Sequence, residues 1–268
     1  MSEDTDLVED MLRSLSQGHQ IPLLTSRPGG LSMSEAYRLS AQITDARTRR
    51  GEKPVGRKIG FTNKTIWTDF NVSAPMCGTM YDSTVRPLDG SYQVAARLEP
   101  RIEPEIAFRL SAVPQPGMSP KELIACVSDV CAGFEMVQSF FANWAFQAAD
   151  TVAAFGLHGA LLHGPLHPVA AADRKEWVAR LAEFRTTLHR NGEVVDEGHA
   201  SNVLGGGPLV ALGYLVDLIT REPQIAPLLE GDIITTGTLT RALPVGPGET
   251  WHASFDGLPL DPIEVSLV

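Results

Sequence analysis

Cysteine is scarce. The chain has 268 residues and three cysteines, Cys77, Cys126 and Cys131. The number is odd and no CxxC spacing occurs, so a disulfide framework is not expected, and reduced thiols in a cytoplasmic setting are. Positive charge is the second deficit. Lys and Arg total 22 against 32 Asp and Glu, a net charge of −10. No basic cluster stands out beyond Arg47-Thr48-Arg49-Arg50, so nucleic acid is not an expected partner. An acidic surface also gives an anionic substrate no long-range attraction, and any such anion must be captured by local cations or by a metal. Long apolar runs are missing too. The most apolar stretch, 152–172, contains three histidines and two prolines and is too interrupted to span a bilayer. Residues 1–18 are acidic and amphipathic, unlike a signal peptide. There is no GxGxxG or P-loop pattern, no serine nucleophile elbow, no internal repeat and no heptad.

What remains is an ordinary globular composition, 43% hydrophobic and 20% charged. Leu7, Met11, Leu12 and Leu15 fall at helical spacing over 3–17, and Gly18 ends the run. Ser32-Met33-Ser34-Glu35 reads as a capping box opening a helix that buries Ala36, Leu39, Ile43 and Ala46. These helices are expected to form an N-terminal segment, 1–53, on a main body, 54–268. The body reads as strand-rich: strands over 55–61, 98–110 and 133–139, and a hairpin turning at Asn191-Gly192. A helix is expected from Ser119-Pro120-Lys121-Glu122, with Leu123, Ile124, Val127 and Val130 on its buried face, and another over 208–219. Late strands are expected at 232–236 and within 254–268. Strands interleaved with single helices predict an α+β fold on a mixed, strongly curved sheet.

The chemistry gathers on a few polar residues in apolar strands. Glu103 and Glu105 lie one residue apart in Arg101-Ile102-Glu103-Pro104-Glu105-Ile106, so both carboxylates face one way. Two adjacent carboxylates repel. A divalent metal, a raised pKa on one of them, or an ion pair with Arg101 or another base would relieve this. Glu135, in Gly133-Phe134-Glu135-Met136-Val137, is a third acid in an apolar strand, either a further ligand or a strand-edge residue. A three-carboxylate set suits Mg²⁺ or Mn²⁺ better than zinc. Lys58, in Gly56-Arg57-Lys58-Ile59-Gly60, would be a base, a Schiff-base former or an anion clamp if it faces inward, and an ordinary surface lysine otherwise. Thr235 to Thr240 surround Gly237 with hydroxyls, as a carboxylate-binding loop or a plain turn. Arg27, Arg57 and Arg101 are conceivable anion clamps. His158, His163 and His167 read better as core or loop residues than as a zinc site, because Pro165 and Pro168 break their presentation.

Taken together, these segments resemble the 2-keto-4-pentenoate hydratase and 2-oxo acid decarboxylase branch of the fumarylacetoacetate hydrolase superfamily. The resemblance rests on Gly56 to Lys64, Pro100 to Phe108, Gly133 to Val137, Val203 to Leu209 and Gly231 to Thr238, in that order. It implies a β-rich mixed sheet rolled into a flattened barrel, with flanking helices and a helical N-terminal part. It implies an Mg²⁺ or Mn²⁺ ion held by Glu103, Glu105 and Glu135. It places Lys58 and Asp82 among the catalytic groups, and Thr236, Gly237 and Thr238 near the substrate, where Arg57 is also expected as an anion clamp. It implies a homo-oligomer in aromatic catabolism, with room for a complex with a related pathway enzyme. The ligand would be a 2-oxo or 2-hydroxydienoic acid. The expected reaction is hydration of a 2-hydroxy-2,4-dienoate to a 4-hydroxy-2-oxo acid. The alternatives are decarboxylation of a 2-oxo-3-enedioate, acylpyruvate-type hydrolysis, or a non-catalytic partner role. The chain departs from these relatives at Ala153-Ala154-Phe155-Gly156-Leu157-His158, where they usually carry Ala-Asp-Asn and a small or Ser pair. Asp150 is retained, and His158 becomes a candidate proton carrier.

Overall fold

The computed structural model describes residues 3–68 and 72–268. Helix α1 (Glu3–Gln17) and helix α2 (Met33–Arg49) open the chain. The capping box at Ser32 is formed: its backbone N–H donates to Glu35 Oε2 at 2.8 Å, and the Glu35 N–H returns a bond to Ser32 Oγ. Met11 and Leu12 of α1 and Leu39 and Ile43 of α2 belong to the same apolar cluster as Ile102, Ile106 and Phe108 of the sheet. The N-terminal helices and the sheet therefore share one core.

The chain continues through β1 (Pro54–Gly60), β2 (Met76–Tyr81), β3 (Val85–Pro87), β4 (Ser91–Tyr92) and β5 (Arg101–Leu110). A one-turn helix α3 (Pro120–Leu123) leads to β6 (Val127–Val137), helix α4 (Ala148–Ala153), β7 (His158–His163) and β8 (His167–Pro168). Helix α5 (Arg174–Glu183), hairpin β9 (Arg185–Arg190) and β10 (Glu193–His199), and helix α6 (Pro208–Arg221) follow. The chain ends with β11 (Ile233–Thr235), β12 (Leu243–Pro244), β13 (Thr250–Asp256) and β14 (Ile263–Leu267).

The fold is α+β on a curled mixed sheet. Its strands run β2-β1-β11-β5-β6-β7-β3, with β12 beside β5 and β8 beside β6. A second sheet, β10-β9-β13-β14-β4, takes up the hairpin and the C-terminal strands. The hairpin turns at Asn191 (φ 53°) and Gly192 (φ 84°), the paired positive φ of the expected type I′ turn. No helix among the described residues is long and apolar enough to cross a membrane.

The helix expected from Ser119 is a correction. Ser119 does donate to Glu122 at its start, but the α-helix lasts only to Leu123, and Val127 and Val130 lie in β6. A short helix is marginal by itself. β6 pairs along most of its length with β5 and then with β7, and that two-sided ladder outweighs one good cap.

Asp150 explains how the N-terminal segment is fastened. It is fully buried and accepts the Thr25 N–H and the Thr25 hydroxyl at 2.9 and 2.8 Å, and the Gln147 N–H at 3.0 Å. Asp150→Ala would leave two amides without acceptors. It is expected to cost roughly 2–4 kcal/mol of unfolding free energy, read as a lower urea midpoint with an unchanged slope.

Candidate metal and active site

Register decides which side chains meet. Glu103 stands directly opposite Glu135 across β5 and β6. Arg57 is level with Ile234, which is level with Phe108. Alternation then puts Lys58, Glu103, Glu105 and Glu135 on one face of the sheet, and Arg57, Ile102, Ile106 and Phe108 on the other. Farther along the first face, Met80, Ala107, Cys131 and Leu161 form a separate apolar cluster.

Carboxylate oxygens of Glu103, Glu105 and Glu135 all lie within 4.8 Å of one another. Lys58 Nζ is 3.2 Å from Glu135 Oε2, and His158 Nδ1 is 2.8 Å from Glu135 Oε1. The Gly237 N–H donates to Glu105 Oε2 at 2.8 Å. Glu105 Oε1 is buried and receives no hydrogen bond from any described donor.

The electrostatics follow from this crowding. Burial pushes Glu103 up to about 7; Lys58 pulls it down and Glu135 adds to the rise. Burial, then Glu135 and Glu103, hold Glu105 well above the ordinary carboxylate value. Burial also acts upward on Glu135, but Lys58 and His158 outweigh it and keep this carboxyl low. Burial alone would lower Lys58, yet the three acids raise it, so it is an ammonium. Burial lowers His158.

With all three acids ionised, one ammonium leaves two negative charges uncompensated inside the fold. A divalent cation restores the balance. The donor set is entirely oxygen, which suits Mg²⁺ or Mn²⁺. The orphaned Glu105 Oε1 is the specific observation that such an ion fits here, since a buried carboxylate oxygen without a partner is costly.

A cleft opens onto the cluster. Lys58, Glu103 and Glu105 are its ionisable wall residues, and Thr62, Asn63 and Thr238 are among its polar ones. Most of the rest is apolar, with Phe61, Trp144 and Phe146 prominent. Phe61, Trp144 and Leu157 line it with φ of 58°, 55° and 60°, a left-handed conformation that costs each of them on the order of 1–3 kcal/mol.

Several expected site residues are not brought to this cluster. Asp82 is exposed on the turn after β2, and its Oδ1 accepts the Lys53 N–H at 2.9 Å. Arg57 faces the opposite side of the sheet, where it donates to the carbonyls of Gly56 and Ala226. Thr236 spends its hydroxyl on the Ile106 carbonyl at 2.8 Å. The Gly237 amide serves Glu105, and of the loop only Thr238 lines the cleft. His158 lies behind Glu135 rather than on the cleft wall. Arg101 lies 4.1 Å from the Trp144 ring centroid, and Arg27 is exposed. Thr62 and Asn63 carried a signal, adjoining the glycine-flanked Lys58 strand. Trp144, Phe146 and Thr84 carried none.

Comparison with known proteins bears on the family and the fold. The family described as Fumarylacetoacetate (FAA) hydrolase C-terminal matches residues 67–260. A 2-keto-4-pentenoate hydratase of Burkholderia vietnamiensis is 30% identical, over 96% of this chain and 97% of its own. A 4-oxalocrotonate decarboxylase of Pseudomonas sp. (strain CF600) is 28% identical, over 90% of this chain and 88% of its own. Among solved structures, the 4-oxalocrotonate decarboxylase from Pseudomonas putida G7, complexed with magnesium and adipate, superposes with a TM-score of 0.89 at 25% identity. That match covers 99% of this chain and 97% of the other.

Proposed function

The chain belongs to the fumarylacetoacetate hydrolase family, and from that premise we propose that it is a metal-dependent lyase. It would add water to a 2-hydroxy-2,4-dienoate and release a 4-hydroxy-2-oxo acid. The observation that carries the reading is the cluster of three carboxylates, with one buried lysine against Glu135, beside an otherwise largely apolar cleft. Relatives named as hydratases, over nearly the full chain, support it.

Glu103, Glu105 and Glu135 would hold Mg²⁺ or Mn²⁺. When bound, that ion supplies Lewis-acid stabilisation of charge developing on the substrate's 2-oxygen. The Lys58 ammonium donates to the same oxygen and holds negative charge there as the dienol gives up its O–H proton. Carbon 5 takes a proton, leaving a 2-oxo-3-enoate. Water then adds its hydroxyl to carbon 4 and a proton returns to carbon 3, so the net change is one water gained. Thr62 and Asn63 supply polar contacts for the carboxylate end, while Phe61, Trp144 and Phe146 keep bulk water from the conjugated chain. A homo-oligomer in the cytoplasm, acting near a related pathway enzyme, completes the proposal by family resemblance; the molar mass in solution tests its first part.

One observation favours a second reading. Asp82 and His158, the candidates for protonating the far carbon, are both off the cleft wall. Decarboxylation of a 2-oxo-3-enedioate needs an electron sink at the 2-oxygen but no acid at the far carbon before CO₂ leaves. Ultraviolet assays with Mg²⁺ on 2-hydroxypenta-2,4-dienoate and on 2-oxohex-3-enedioate separate the two. Chelator-sensitive loss of the dienoate band with a hydroxy-oxo acid as product supports the hydratase. CO₂ from the diacid alone moves the assignment to decarboxylase. No turnover of either, in protein that binds Mg²⁺, sinks both.

A further inference from the structure

His158 opens β7, and its ring is committed at both ends. Nδ1 is 2.8 Å from Glu135 Oε1, and Nε2 is 2.9 Å from Thr84 Oγ1. The side chain is 2% exposed, and Glu135 is wholly buried. Thr84 is itself fixed: its Oγ1 accepts the Tyr81 N–H at 3.2 Å and lies 3.1 Å from the Tyr81 carbonyl. A continuous chain of contacts therefore runs from the turn after β2, through Thr84 and His158, to Glu135.

The backbone is shaped to deliver this ring. Phe155, Gly156 and Leu157 have φ of 60°, 63° and 60°, three left-handed residues in succession directly before His158. A Cβ on Gly78 would lie 2.6 Å from the Phe155 carbonyl oxygen, so the bare glycine of β2 admits the turn. The strained turn then enters β7 with His158 level with Val137, at the end of the ladder that carries Glu135.

We propose that His158 is a positioning residue for the cation site: it fixes Glu135 through Oε1, so that Oε2 alone is offered to the ion. The inference rests on the three-carboxylate reading given above. A carboxylate held at Oε1 by His158, with Oε2 3.2 Å from Lys58 Nζ, has a single orientation and does not rotate into a two-oxygen grip on the ion. Partners of this kind, one bond removed from a metal, set ligand orientation and tune affinity. His158 touches neither the cleft nor the reacting atoms, so it is not a proton carrier for the substrate.

Free Mn²⁺ counted by electron paramagnetic resonance gives the cation affinity without any substrate. His158→Leu keeps the bulk but removes the donor, and is expected to weaken Mn²⁺ binding about 10- to 100-fold. His158→Asn places an amide N–H where Nδ1 stood and is expected to stay close to the unmodified protein. Loss in the first with rescue in the second is the result that supports the proposal. Unchanged affinity in His158→Leu, or equal loss in both variants, overturns it. Should His158→Leu fail to fold, His158→Phe keeps the ring and removes the donor to Glu135, and an unchanged Mn²⁺ affinity there overturns it equally. No Mn²⁺ binding by the unmodified protein defeats the cation site itself, a different result from a bound ion indifferent to His158.

Discussion

Glu105→Gln is expected to abolish turnover and lower Mg²⁺ affinity at least about 100-fold, while making the metal-free protein more stable. Glu105 is the most confined of the three acids: one oxygen takes the Gly237 amide and the other has no donor. Its carboxyl is held well above the ordinary value by burial and by Glu135 and Glu103. A raised carboxyl pKa means the fold binds that proton more tightly than the unfolded chain does. As pH climbs past about 4.5, the unfolded chain gives up the proton, the folded chain keeps it, and stability falls until the folded value is passed. For Glu103 that window closes at about 7; for Glu105 it extends further. The metal-free melting temperature should therefore drop between pH 5 and pH 8, saturating Mg²⁺ should flatten the drop, and Glu105→Gln should flatten it without metal. Calorimetry across that range reads all three. A metal-free protein whose stability does not fall over this range would contradict the crowding of ionised carboxylates.

Much of this cluster was legible before the fold was known. Spacing put Glu103 and Glu105 on one face, because strand alternation is local geometry. The same rule, applied one residue earlier, puts Arg57 on the face opposite Lys58; treating Arg57 as a substrate clamp overlooked it. Direct pairing of Glu103 with Glu135 is a matter of register between strands separated by a long connection, and alternation cannot supply it. Asp82 is a different case. The family resemblance placed it as a pocket acid, but in the structure the β2–β3 turn claims its carboxylate for the Lys53 amide. Val127 and Val130 fitted a helix face as well as a strand, and only the flanking strands decide between them. Trp144 and Phe146 reach the cleft from a loop whose path depends on the left-handed Asn143 and Trp144, a conformation that asparagine tolerates and tryptophan disfavours.

Lys58→Met is the change expected to separate chemistry from metal binding. The Lys58 side chain is 4% exposed, its Nζ is 3.2 Å from Glu135 Oε2, and it is the cationic residue on the cleft wall among the described residues. The methionine preserves length and apolar contact, and bound Mg²⁺ offsets the positive charge that is lost, so the variant is compared with the ion present. Loss of a preorganised donor to a developing oxyanion costs on the order of 10²- to 10³-fold in kcat. Metal binding should move the other way. Without the ammonium, Glu135 Oε2 has no competing cation and the cluster holds one more uncompensated negative charge, so Mg²⁺ should bind as tightly as before or more tightly. Magnesium titration calorimetry set beside single-turnover rates checks both halves. A variant that loses Mg²⁺ along with turnover would make Lys58 a structural part of the metal site and not the group that stabilises charge on the 2-oxygen. A variant that keeps full turnover would remove Lys58 from the mechanism, and the three acids with their ion would have to supply all of that stabilisation.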